Sequence, residues 1–231
     1  MSGLREIHAH FVYGVDDGPS TKAEMEAMLD AAHAQGITLL IATPHVTPGV
    51  YRFDEERFRR HLDEAKDYCL RKGYDIQLYA GAEIMYSPAG ERCIKDGTIP
   101  TLGDSPYVLI EFVPDVSFDE LRHAASAAER AGYKPILAHI ERYDCLHRKD
   151  HAYRLKKESH VLYQVNCNTL MESRGFFADR RIRKWFKDGL IDFVASDAHD
   201  LKRRPFRMKD AYDILCERFG EDYADLLAAE R

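Results

Sequence analysis

Seven short apolar runs rich in β-branched residues recur along the chain, at about 5–10, 38–43, 76–84, 107–112, 134–140, 161–166 and 191–196. Their near-continuous apolar character suits parallel strands buried on both faces. Helical spacing fills the gaps. Thr21-Lys22-Ala23-Glu24 has capping-box spacing and opens a helix that stops near Gly36. Asp54 opens a long charged helix ending near Gly73, and Ser117-Phe118-Asp119-Glu120 opens one ending at Gly132. Further helices are expected at about 150–158, 178–188 and 207–218, and the 85–98 stretch reads as one short helix at most. Strands alternating with helices predict an α/β protein with a mostly parallel sheet. No long linker, repeat or low-complexity segment interrupts the pattern, so residues 1–231 read as a single domain.

This pattern allows a closed barrel or an open doubly wound sheet. Polar residues at the run ends favour the barrel. His8-Ala9-His10, His45, Glu83, Glu111, His139 and Ser196-Asp197-Ala198-His199 stand on nearly every run. Side chains so scattered meet only if the sheet closes, whereas an open sheet binds at one switch point. His-x-His on a strand points both imidazoles the same way, and Asp197-x-His199 repeats that geometry. Glu83 and Glu111 directly follow apolar residues. A strand-end acid can cap a helix, but a carboxylate flanked by core residues is costly unless paired or coordinated. Asp16-Asp17-Gly18 adds one ligand and one turn or supporting residue. The other histidines, His33, His61, His123, His147, His151 and His160, read as ordinary surface or core residues.

Imidazole with carboxylate suits Mn, Fe, Zn or Co rather than a thiolate site. Nine candidates, His8, His10, Asp17, His45, Glu83, Glu111, His139, Asp197 and His199, are too many for one ion and enough for three. Three divalent ions would outweigh the four carboxylates by two charges, which suits an anionic substrate. Arg142 after His139, and Arg203 and Arg204 after His199, are candidates for bidentate phosphate contact.

Composition narrows the chemistry. Five cysteines, with no CxxC spacing, suit reduced thiols better than a disulfide framework. There is no C-x5-R, GxxxxGK[ST] or GxSxG motif. What remains is metal-assisted hydrolysis, with a metal-bound hydroxide attacking phosphorus in line. A net charge of −6 argues against non-specific nucleic-acid binding. No apolar run approaches the ~20 residues of a membrane span, and the first residues lack a signal-peptide core. The expectation is a cytoplasmic protein with no nucleic-acid partner and no membrane insertion.

His8-x-His10, Asp16-Asp17-Gly18-Pro19, Ala42-Thr43-Pro44-His45, Gly81-Ala82-Glu83-Ile84, Leu109-Ile110-Glu111-Phe112, Ala138-His139-Ile140-Glu141-Arg142-Tyr143 and Ala195-Ser196-Asp197-Ala198-His199 together resemble the PHP (polymerase and histidinol phosphatase) superfamily. More narrowly, they resemble bacterial manganese-dependent protein-tyrosine phosphatases of capsule and exopolysaccharide operons. The resemblance spans about residues 6–220 and implies a distorted (β/α)7 TIM-like barrel with three divalent ions. Manganese is expected first, and the donors also accept Fe, Zn, Co or Mg. It implies one ion on His8, His10, Glu83 and Asp197. A second is bridged by Glu83 and completed by Glu111 and His139, and a third is held by Asp17, His45 and His199. Arg142 and Arg204 match phosphate-binding arginines and, with Asp197 and His199, are the catalytic candidates. The implied substrate is phosphotyrosine on the tail of a tyrosine autokinase that controls polysaccharide export. Some members carry basic residues directly after the second-motif histidine; here Val46-Thr47-Pro48 follows His45, and Arg52 is the substrate-contact candidate. The competing readings are a small-molecule phosphomonoesterase such as histidinol phosphatase, a non-catalytic phosphoprotein-binding module, and an amidohydrolase. The oligomeric state is left open.

Overall fold

The computed structural model describes residues 3–148, 150–173 and 175–229; Met1 and Ser2, part of the N-terminal stretch read above, lie outside them. Nine strands occur among the described residues: β1 (Leu4–Ala9), β2 (Ile37–Ala42), β3 (His45–Val46), β4 (Gln77–Ala80), β5 (Glu83–Met85), β6 (Tyr107–Glu111), β7 (Lys134–Leu137), β8 (Leu162–Asn166) and β9 (Phe193–Ala195). They include the seven expected runs, one of which breaks in the middle, and the short β3, which lies beyond the end of the second run. The second run ends at Thr43-Pro44, because proline has no N–H for the ladder; the Ala9 N–H reaches Thr43 Oγ1 there, at 3.0 Å. The third breaks at Gly81-Ala82. A Cβ on Gly81 would lie 2.8 Å from Leu102 Cδ2 and 2.9 Å from Ile41 Cγ2, so only glycine fits that approach.

All strand pairs are parallel, in the orders β1-β2-β4 and β3-β5-β6-β7-β8-β9. Backbone bonds close the ring where the ladders stop. Thr43 N–H donates to Ala9 O (2.9 Å), Asp197 N–H to His8 O (2.9 Å) and His10 N–H to Ala198 O (2.7 Å). The first and last strands therefore touch, and the sheet curls into the distorted barrel expected. The distortion lies between β4 and β6, which do not pair; a 3-10 turn, Leu102–Asp104, fills the gap. Leu102 joins Ile7, Ile41, Leu109, Ile136, Ala138 and Ala195 in a small core inside the barrel.

The helices α1 (Lys22–Ala34), α2 (Glu55–Lys72), α3 (Pro88–Asp96), α4 (Phe118–Arg130), α5 (His151–Glu158), α6 (Asn168–Met171), α7 (Phe176–Lys187), α8 (Met208–Phe219) and α9 (Glu221–Ala228) form the outer layer. Thr21 and Glu24 make the expected capping box, and Asp54 and Ser117 cap α2 and α4. Gly73 ends α2 in the left-handed region at φ 68°. The short α6 and the terminal α9 were not foreseen. The fifth run predicted β7 to reach residue 140, but it stops at Leu137. His139 takes φ 33°, and a 3-10 turn, Ile140–Arg142, follows.

Candidate metal centre

Inside a barrel strand, inward side chains recur with period two. On most strands this explains the site directly. Leu109 lines the inner core and Glu111 follows two residues later; Phe193 and Ala195 likewise lead to Asp197. Two strands depart from that parity. On β1, Arg5 and Ile7 face the barrel interior, yet His8 and His10 enter the cluster. The ladder has an irregularity between Glu6 and Ala9, and such bulges re-aim side chains next to sites. The Glu6 carboxylate accepts the N–H groups of His8 (3.0 Å) and Ser196 (2.8 Å) there. On β7, Ile136 and Ala138 are inward, and the positive φ of His139 turns the next residue in as well. Asp197 also sits at positive φ, 54°. A non-glycine residue in that region costs of order 1–3 kcal/mol, which persists only where the surroundings enforce it.

The candidates converge. Potential ligand atoms of His8, His10, Glu83 and Asp197 lie within 4.8 Å of one another, as do those of His10, Asp17, His45 and His199, and those of His45, Glu83 and Glu111. His8 Nε2 stands 3.3 Å from Glu83 Oε1 and 3.4 Å from Asp197 Oδ1. His139 Nε2 is 2.9 Å from Glu83 Oε1 and 3.4 Å from Glu111 Oε1. Asp17 Oδ1 is 3.3 Å from His199 Nε2 and 3.5 Å from His45 Nε2. His45 spans two groups, because its Nδ1 also lies 3.0 Å from Glu83 Oε2. Arg142 donates to Asp197 Oδ2 at 2.7 Å, and Arg204 to Asp17 Oδ2 at 2.6 Å. Arg52 is exposed on the loop before α2 and makes no ion pair with a described residue.

The donor set fits cations. His8 Nδ1 faces Gln164 Oε1 at 3.2 Å, His10 Nδ1 faces Asp16 Oδ2 at 2.7 Å, and His199 Nδ1 faces the Asp197 carbonyl at 2.8 Å. Each of these partners accepts, so a ring that gives its Nδ1 proton to that partner has Nε2 free for an ion. The Nε2 atoms of His8 and His10 stand 3.2 Å apart. Buried Glu83 Oε2 and His199 Nε2 make no hydrogen bond with the described residues. Such groups are costly to bury unless something satisfies them. The local field asks for positive charge. Against the downward push of burial, Glu111 and Glu83 carry His45 up to about 11 and His139 up to about 9. Burial pushes the Glu83 carboxyl up, but the imidazoles around it hold it well below the usual carboxylate range. The His199 imidazole 3.3 Å away, helped by Arg204, holds Asp17 far below that range.

Asp16 takes the turn or supporting part that the sequence offered it, whereas Glu6, Gln164 and Asn166 escaped sequence reading. Asp16 orients His10 and accepts the His45 N–H (3.1 Å) and Gly18 N–H (3.0 Å). Gln164 also accepts the His139 N–H at 2.7 Å, and Asn166 donates to Asp197 Oδ2 at 2.9 Å. The available signal was the inward pair Gln164-x-Asn166 at the end of an apolar strand. No cysteine belongs to the ligand groups. Burial pushes the Cys69 and Cys145 thiols up to about 11, and Cys167 well above its ordinary value. These thiols are poor nucleophiles.

Comparison with known proteins gives concordant results. The family model for capsular polysaccharide synthesis, CpsB/CapC, matches residues 4–231. The tyrosine-protein phosphatase CpsB of Streptococcus pneumoniae is 32% identical over 220 residues, covering 93% of this chain and 90% of that protein. A chain from the crystal structures of YwqE from Bacillus subtilis and CpsB from Streptococcus pneumoniae, metal-dependent tyrosine phosphatases, superposes with a TM-score of 0.85. It is 29% identical, with 95% of this chain and 89% of that one covered. The histidinol phosphate phosphatase of Lactococcus lactis shares the fold at TM-score 0.56 and 14% identity, with 99% and 96% covered.

Proposed function

The chain belongs to the capsular polysaccharide synthesis CpsB/CapC family, and on that premise we propose that it is a metal-dependent protein-tyrosine phosphatase. The observation that carries this reading is the convergence of nine imidazole and carboxylate side chains, His139 joining through Glu83 and Glu111, beside two arginines. We assign His8, His10, Glu83 and Asp197 to one ion, Glu83, Glu111 and His139 to a second, and Asp17, His45 and His199 to a third. His45 also faces the second. Manganese is the proposed metal, and Fe, Zn, Co and Mg suit the same donors. Divalent cations there supply Lewis-acid stabilisation for an in-line displacement at phosphorus.

The protein's own groups bind and orient the phosphoryl group. Arg142 and Arg204 each use one guanidinium nitrogen on a carboxylate, which fixes the fork and leaves other N–H groups for phosphoryl oxygens. Asp197 thus ties an arginine to the ligand set, and His199, through Asp17, ties in the other. Arg52 is assigned to residues flanking the phosphotyrosine. The proposed substrate is the phosphorylated tail of a tyrosine autokinase of polysaccharide export, met in the cytoplasm. Among the described residues no helix is long and apolar enough to cross a membrane.

The test is a paired assay with metal content measured on the same sample. Phosphotyrosine peptide and histidinol phosphate are offered at equal concentration to the manganese-loaded protein. The peptide should be hydrolysed faster, and Asp197→Ala or His45→Ala should abolish turnover in a folded chain. Faster turnover of histidinol phosphate selects the small-molecule reading, and full activity in either variant removes the site assignment.

A further inference from the structure

We propose that the outward face of α7 docks this protein reversibly onto an anionic membrane surface. The helix reads Phe176-Phe177-Ala178-Asp179-Arg180-Arg181-Ile182-Arg183-Lys184-Trp185-Phe186-Lys187. Its inner face, Ile182, Trp185 and Phe186, is buried against the barrel layer. Its outer face carries Phe176, Phe177, Arg180, Arg183, Lys184 and Lys187, all exposed. Arg180, Arg183 and Lys187 form no ion pair with any described residue. Two acids of this helix and its end are engaged: Asp179 accepts from the Ser173 hydroxyl at 2.6 Å, and Asp188 accepts from Tyr153 at 2.7 Å and pairs with Lys184. Glu172 and Asp150 also border the face, against more numerous cations.

Two features go beyond an ordinary solvated helix. Phe176 and Phe177 are 72% and 81% exposed, side by side in the first turn, with ring centroids 5.5 Å apart. Paired exposed rings are unfavourable in water and favourable at headgroup depth. The patch is also cationic on a molecule of net charge −6. Beside it runs a groove of about 280 Å³ lined by Arg148, Asp150, Phe177, Arg180, Arg181 and Lys184, four cations against one acid. That charge selects an anionic counterpart. Phe176 lines no part of the groove and projects from the helix end, which suits a deformable headgroup layer better than a rigid protein partner. A peripheral contact of this kind needs no membrane-spanning segment. It also has a direction. α7 follows β8, so its first turn lies at the strand-end face where Asn166 meets Asp197. Docking therefore brings the metal-centre end of the barrel toward the membrane.

The test is co-sedimentation of the full chain with vesicles, and it needs no turnover, so it stands apart from the phosphatase reading. The protein should pellet with phosphatidylglycerol–phosphatidylcholine vesicles and not with pure phosphatidylcholine, and raising salt should release it. Arg180→Gln with Arg183→Gln should lower partitioning by roughly fivefold per cation removed. Phe176→Ser with Phe177→Ser should release the protein even at low salt. Both double variants should keep the native circular dichroism and the basal turnover of a soluble phosphotyrosine peptide. No binding to anionic vesicles, equal binding to neutral ones, or binding that both double variants retain overturns the proposal. So does a dimer that the phenylalanine variant dissolves without any vesicle binding, which assigns the face to a second copy.

Discussion

Glu6 is fully buried and takes the backbone N–H groups of His8 and Ser196, 3.0 and 2.8 Å away, at the irregularity that turns His8 and His10 inward. It is a positioning residue: it touches no candidate ligand side chain but sets where two of them point. Replacing it by alanine leaves both N–H groups without their acceptor, at about 1–3 kcal/mol for each buried group so orphaned. Glu6→Ala should therefore unfold at lower denaturant concentration after chelation. It should also retain less metal per folded chain than the parent at equal supply. An unchanged midpoint with full metal content removes the role. Sequence reading singled out every member of the candidate ligand groups at this scale because imidazoles and acids at strand ends are conspicuous. It missed Glu6, Gln164 and Asn166. Their work is hydrogen bonding to backbone and to ligand rings, and a lone acid or amide in an apolar run does not show whom it faces. The parity change on β1 and the left-handed φ of His139 were invisible for a related reason: both depend on neighbouring strands.

Helix caps were the most legible features at the next scale, because Thr21, Asp54 and Ser117 act on N–H groups within three residues of themselves. Strand ends were less so, since Gly81 breaks a run whose hydrophobicity continues across it, and β3 begins only after Pro44, beyond the run expected there. Contacts between helices were not legible at all. Glu91 on α3 shows why. It accepts from Tyr86 (2.7 Å), pairs with Lys95 (2.6 Å) four residues on, and meets His123 of α4 at 3.0 Å. Lys95, then Tyr86, hold its carboxyl down at about 2. A carboxyl depressed on folding stabilises the fold above its unfolded value, near 4.5, and that contribution fades as pH falls through the folded value. Glu91→Gln should thus lower the melting temperature at neutral pH, and the gap to the parent should close between about pH 4.5 and 2. A gap of constant size across that window means that packing, not charge, ties α3 to α4.

For the molecule as a whole, the ring is closed at one end by chemistry as well as by backbone. The ligand groups draw on β1, β3, β5 and β6 and on the segments after β7 and β9. This closure could be read in advance, because residues 190 apart can share an ion only if the first and last strands adjoin. The gap between β4 and β6, plugged by Leu102, could not, because it is an absence of pairing between runs that both look like strands. Closure through ligands has a thermodynamic consequence. Without cations, Glu83, Asp197 and Glu111 crowd one end of the barrel, offset among the described residues by imidazoles, Arg142 and the Asn166 amide. Each cation that binds this arrangement and not the unfolded chain stabilises it by about 2.7 kcal/mol at a hundredfold excess over Kd. For a single ion on a chain of this size that corresponds to roughly 5–10 °C in melting temperature. Chelation, checked by metal analysis, should lower the melting temperature by at least that much, and added manganese should restore it. In His45→Ala, which takes a ligand from two of the three groups, the restored shift should be much smaller. In Glu91→Gln, remote from the ring, it should be intact. A melting temperature that ignores verified metal removal means that the strands close the barrel unaided, and the ligand ring contributes to chemistry alone.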